Sequence, residues 1–165
     1  LVLAWIAAPM AVASLLTSRM VGRFGLRRVG HSAALAFVVI TALHAAVGLS
    51  GRETLLLFVL LQGLTMASFA FTSSNLGTLA MENMAPIAGT ASSVQGVIGT
   101  LGAALIGFAI GQAFDGTVIP YLLGTAACAA GGFVAIVLTE PKRLFAPIRI
   151  DSGEALEPCM PEDLA

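Results

Sequence analysis

Four side chains stand out because their chemistry does not match their surroundings. Gln62, Asn75 and Gln95 are amides set in long apolar stretches, and Phe69 lies between the first two. A buried amide must find hydrogen-bond partners. Two arrangements would supply them. The amides could bond between helices, or Gln62, Phe69, Asn75 and Gln95 could line a central cavity, with Phe69 and Phe71 offering aromatic surface to an apolar ligand. Thr72, Ser73 and Ser74 join Asn75 in a polar cluster. The two histidines, His31 and His44, read as packing or interface residues rather than proton carriers. Glu82 and Asp115 follow apolar stretches and do not lie within them. Proton relays usually need a carboxylate inside the apolar region, so no proton-coupling site is expected in this chain.

Other chemistries lack their residues. There is no G-x-x-x-x-G-K-[ST] loop for a nucleotide, no Cys/His cluster for a metal, and no nucleophile–base arrangement. The sequence therefore predicts no enzyme, no cofactor and no metal. A net charge of −1 with no block of like charges gives no reason to expect a nucleic-acid partner. Cys128 and Cys159 are both expected to be reduced. A different pattern concerns packing: Gly99, Ala103, Gly107 and Gly111 recur every fourth residue. Small residues at this spacing let helix backbones approach closely where lipid supplies no hydrophobic push. This row is expected to face another helix of the same bundle, as a static or a sliding contact.

The elements that must position these residues follow from composition. Of 165 residues, 58% are hydrophobic and only 10% charged, and the mean hydropathy is +0.95. Soluble domains carry about a quarter charged residues, so an ordinary globular domain and a disordered chain are both excluded. A membrane-crossing helix needs about 20 mostly apolar residues. Five such runs occur, at about 1–18, 29–49, 55–81, 87–114 and 118–139. None alternates in polarity as barrel strands do, which leaves helices as the way to satisfy the backbone in lipid. The predicted fold is an all-α membrane protein over residues 1–140. Residues 141–165, rich in Pro and acidic side chains, are expected to form a disordered cytoplasmic tail.

Basic residues set the expected orientation. Arg19, Arg23, Arg27 and Arg28 lie between the first two runs, and Lys142, Arg143 and Arg149 lie in the tail. Five spans bring those segments to one face, which is expected to be cytoplasmic, and only Arg52 falls on the other. The chain starts at Leu1 inside an apolar run, so it is expected to continue a longer protein or to be a truncated product.

The segment at 18–28 reads S-R-M-V-G-R-F-G-L-R-R. It resembles the inter-helix signature of the major facilitator superfamily, G-x-x-x-D-R-x-G-R-R, through Arg23, Gly25, Arg27 and Arg28. Gly22 stands at the Asp position, Ser18 at the first Gly and Leu26 at the first paired basic position, which looks like the degenerate second copy between helices eight and nine. Downstream, S-N-L-G-T-L-A-M-E, A-G-T-A-S-S-V-Q-G and G-Q-A-F-D-G-T together resemble the tenth-to-eleventh-helix region of the bicyclomycin-resistance-type (Bcr/CflA) drug:proton antiporters. The resemblance covers nearly all of the chain except the tail. It implies that the five spans are helices eight to twelve, part of one half-bundle, with seven helices missing upstream.

By that resemblance the expected function is proton-coupled efflux of small amphipathic drugs by alternating access, in the cell (inner) membrane. The partners would be the lipid bilayer, a small-molecule substrate and the missing N-terminal helices of the same transporter. The alternatives are a metabolite permease of the same superfamily, since fold does not set substrate, and a truncated chain with no transport activity alone.

Overall fold

The computed structural model describes residues 2–82 and 84–139, with the side chains of residues 2–4, 6 and 18 left aside. The expected tail, with Cys159, Lys142, Arg143 and Arg149, lies outside them. Five α-helices follow one another: α1 Val2–Phe24, α2 Leu26–Leu49, α3 Leu55–Met81, α4 Ala88–Gln112 and α5 Ile119–Thr139. A single 3-10 turn, Ala85–Ile87, precedes α4. Leu26–Leu49, Leu55–Met81, Ala85–Gln112 and Ile119–Thr139 are each long and apolar enough to cross a membrane. Their outward surface is hydrocarbon: Leu55, Leu60, Leu64, Leu101, Leu105, Phe108 and Leu138 are all exposed. Contiguous apolar surface on this scale needs lipid, not water. The chain is an all-α membrane helix bundle.

The segment at 18–28, read from the sequence as a loop, is helical on both sides of one residue. Gly25 alone separates α1 from α2, at φ 84° and ψ 148°. Only glycine occupies that backbone region without large steric cost, so the chain reverses there without an extended loop. Arg23 falls in the last turn of α1, where a cation complements the helix dipole. The turn at the other end of α2 uses Gly51, at φ 66°.

Sequence order is only partly the spatial order. α3 packs along both α1 and α2, which touch each other little, and α5 packs on the far side of α2. The order across the bundle is α1, α3, α2, α5. α4 leans lightly on α5 and α3 and has no buried residue. Glycines mark the close approaches, and a Cβ at Gly124 of α5 would lie 2.6 Å from Ile110 of α4. A Cβ at Gly63 would lie 3.2 Å from the Pro9 ring, so α1 seats its proline on α3 there. A Cβ at Gly48 would lie 2.6 Å from Leu122 Cδ1, so α5 sits on bare α2 backbone.

Hydroxyls inside the helices are satisfied locally. Thr17, Thr41, Thr65 and Thr72 donate to the carbonyls of Ala13, Phe37, Leu61 and Ser68, each four residues back. In an apolar setting this i−4 bond lets a threonine sit within a helix without an inter-helix partner.

Candidate functional site

His44, Glu53, Gln62 and Thr65 gather near the Gly51 end of the bundle, whereas His31 and Asn75, as buried as His44, lie toward the Gly25 end. His44 on α2 is 1% exposed. Its Nε2 lies 2.9 Å from Oε1 of Glu53, whose side chain is only 13% exposed. The pair forms because the Ser50–Gly51 reversal folds the chain back within nine residues. Ser50 N–H donates to the Ala46 carbonyl, and Gly51 N–H to the Gly48 carbonyl. Thr54 then caps α3 by accepting from the Leu57 N–H. Glu53 is thereby held at the N-terminal end of α3, where the helix dipole favours an anion.

Three helices close over the pair. Phe58 of α3 sets its ring edge-on to the His44 imidazole, centroids 5.4 Å apart. Gln62 of α3 donates through Nε2 to the Tyr121 hydroxyl of α5 at 2.7 Å. Thr41, His44, Gln62, Thr65, Tyr121, Leu122 and Thr125 enclose a cavity of about 10 Å³, about the space of one water molecule. Gly48 lies one helical turn beyond His44, and a Cβ there would stand 3.6 Å from Glu53 Oε2. The missing side chain makes room for both the carboxylate and Leu122. Removing an ionisable pair from water is costly unless each member has a close partner, and here each is the other's partner.

The residues singled out in the sequence are distributed differently from the expectation. Gln62 and Asn75 are both buried, but they lie 13 positions apart on α3, about 20 Å along the axis. Gln62 makes an inter-helix bond. Asn75 packs beside Gly30 of α2 and donates through Nδ2 to the Phe71 carbonyl of its own helix at 2.6 Å, leaving Oδ1 buried with no hydrogen-bond partner among the described residues. Phe69 is exposed and pairs with Phe37 of α2, ring centroids 5.9 Å apart. Gln95 is exposed on α4. Among the described residues these four do not share one cavity, because α4 stands away from the α2–α3 seam.

The small-residue row is likewise uncovered among the described residues. Ala103 is exposed, and a Cβ at Gly99, Gly107 or Gly111 would meet nothing within 4 Å. No helix of the described chain covers it. At the Gly25 end, Arg27 reaches across to Glu82 at 3.7 Å, linking the start of α2 to the end of α3. Arg28 borders an open apolar groove of about 410 Å³ with Met20, Phe24, Val29 and Ser32, and Arg23 is exposed. The described residues contain no group of three or more metal-ligating side chains.

Glu53 and Tyr121 are not among the sequence-based candidates, and His44 is read there as a packing or interface residue. Glu53 lies in a turn, outside every apolar run, and a search for carboxylates within spans passes over it. The usable signal was a glycine reversal placing an acidic residue nine positions after a histidine. No protein-family model, no curated protein and no solved structure matches this chain.

Proposed function

We propose that this chain is part of a membrane transporter that moves small amphipathic molecules by alternating access, in the manner of the major facilitator superfamily. What supports this reading is a buried polar cluster inside an otherwise apolar bundle: His44, Glu53, Gln62 and Tyr121, drawn from α2, α3, α5 and one turn. Buried ionisable groups within an apolar helix bundle are costly, and they recur along substrate and ion pathways. Static packing alone would be served as well by leucine. The signature through Arg23, Gly25, Arg27 and Arg28 adds to it, since Gly25 makes a one-residue reversal and Arg27 ties that reversal to Glu82 at the next turn on the same end. Such a tie is suited to a contact that forms and breaks as helices rock.

Efflux of a lipophilic cationic dye is the test. The complete open reading frame that encodes this chain is expressed in bacteria lacking their main efflux pumps, and dye accumulation is followed with and without an uncoupler. The expected result is lowered accumulation that the uncoupler restores. Accumulation equal to the vector control, with the protein verified in the membrane, overturns the proposal.

A further inference from the structure

We infer that His44 and Glu53 form a proton-binding site that holds one exchangeable proton and opens through Glu53 to the Gly51 end of the bundle. The inference rests on the transport reading for its purpose, because it names the coupling ion, but its geometry stands by itself. Three observations carry it. His44 Nε2 and Glu53 Oε1 are 2.9 Å apart, within reach for a proton to pass between them. His44 is 1% exposed while the Glu53 side chain is 13% exposed, so the carboxylate is the member that water reaches. Beside His44 lies a cavity of about 10 Å³ whose lining includes Thr41, Gln62, Thr65, Tyr121 and Thr125, side chains able to hydrogen-bond a water there.

Charge accounting in an apolar enclosure selects one exchangeable proton. With a neutral imidazole and an ionised carboxylate the pair has net charge −1. One further proton makes it neutral overall, whether it resides on Nε2 or on the carboxyl oxygen. A second would leave net charge +1. An uncompensated buried charge is far more costly than a balanced pair, so the neutral state is the resting one and loss of its proton is the exchange step. In the reverse direction a hydronium ion gives up one O–H bond, the pair forms one N–H or O–H bond, and water leaves.

Few other charges act on the pair. α3 contributes no titratable side chain near it, since Gln62, Thr65 and Phe58 are neutral. α5 contributes Tyr121, whose hydroxyl accepts from Gln62. The flanking turn contributes Arg52, which is exposed. Asp115 in the α4–α5 turn is exposed and bonded to Thr117. The sequence expectation of no proton site counted only carboxylates inside spans, whereas the turn delivers Glu53 to a histidine on the neighbouring helix.

The experiment uses the whole 165-residue chain in lipid nanodiscs, labelled with ¹⁵N-histidine and ¹³C-carboxyl glutamate. Only two histidines are present, so the His44 ring signals are those lost in His44→Gln, and the Glu53 carboxyl signal is the one lost in Glu53→Gln. Spectra are taken from about pH 5 to 8, the range in which imidazoles change charge. In the wild-type chain the His44 ring nitrogens and the Glu53 carboxyl carbon are expected to move in one shared step. In Glu53→Gln the His44 step is expected at a proton concentration at least tenfold different. Separate wild-type steps more than tenfold apart, or no movement of either signal, overturn the inference, and this wild-type arm holds even if Glu53→Gln fails to fold. No substrate is present, so a failed dye-efflux experiment leaves this result standing, and a failed titration leaves transport standing with its coupling ion elsewhere.

Discussion

Helices α3 and α4 start from similar material. They run 27 and 25 residues, carry no acidic or basic side chain, and mix small residues with large apolar ones. α3 nevertheless lies between α1 and α2 and buries Leu61, Gln62, Gly63, Thr65 and Asn75. α4 buries none of its residues. The pattern of small residues would have ranked them in the opposite order, since α4 holds the long glycine row. At Gly63 a proline ring fills the space that a side chain would take, while at Gly99, Gly107 and Gly111 the space is empty. A bare backbone permits close packing; a complementary surface on a second helix is what produces it.

Deleting the polar contact on the α2–α3 side should have the largest effect. His44→Leu leaves the Glu53 carboxylate without its partner, and breaking a buried pair in this way destabilises by about 3 kcal/mol. Thermal unfolding of the chain in detergent micelles, followed by circular dichroism, should register the loss. Gln95→Leu on α4 should stay within about 0.5 kcal/mol, as ordinary exposed substitutions do. Equal losses at the two sites would end the distinction between the helices.

A sharper comparison uses glycine alone. Gly48→Leu forces bulk against Leu122 and the Glu53 carboxylate, and overpacking of this kind costs about 2 kcal/mol. Gly107→Leu has open space and a better helix former, so in this chain it should be neutral or gain up to about 1 kcal/mol. The same unfolding measurement decides. A loss at Gly107 as large as that at Gly48 would mean that another helix covers the α4 row under the conditions of the experiment.

Tyr121→Phe removes the hydroxyl that accepts from Gln62 and little else. Inter-helix hydrogen bonds in membranes contribute about 0.6 kcal/mol on average, so the expected loss is small. It should be absent when Gln62 is already leucine. Additive losses in that double-mutant cycle would show that the bond does not couple α3 to α5.

The smallest effect belongs to the α4–α5 turn. Asp115 accepts from the Thr117 hydroxyl at 2.6 Å and from the Thr117 N–H at 3.0 Å, and these bonds hold its carboxyl below the ordinary carboxylate range. A carboxyl lowered in the folded chain stabilises it above the unfolded value, and that contribution disappears as pH falls through the lowered folded value. The turn should therefore stay intact at neutral and mildly acidic pH and loosen only in stronger acid. The Thr117 amide resonance should shift in that acid range in the wild type and stay put in Asp115→Asn. An acid shift that persists in Asp115→Asn would assign the response to another group.

Composition and hydropathy alone determined that this is an all-helical membrane chain with five long segments, because the backbone has few ways to satisfy its polar groups in lipid. They also picked out Gln62 and Asn75 as polar groups in need of partners, and both are buried. The tertiary structure decided everything that depends on which helix meets which. It put α3 between α1 and α2, gave Gln62 its bond to Tyr121 from 59 positions away, and left the glycine row of α4 uncovered. It also closed Glu53 onto His44, a contact that needs a glycine reversal and a helix cap acting together. Periodicity describes one helix at a time, whereas each of these contacts depends on the shapes of two surfaces brought together.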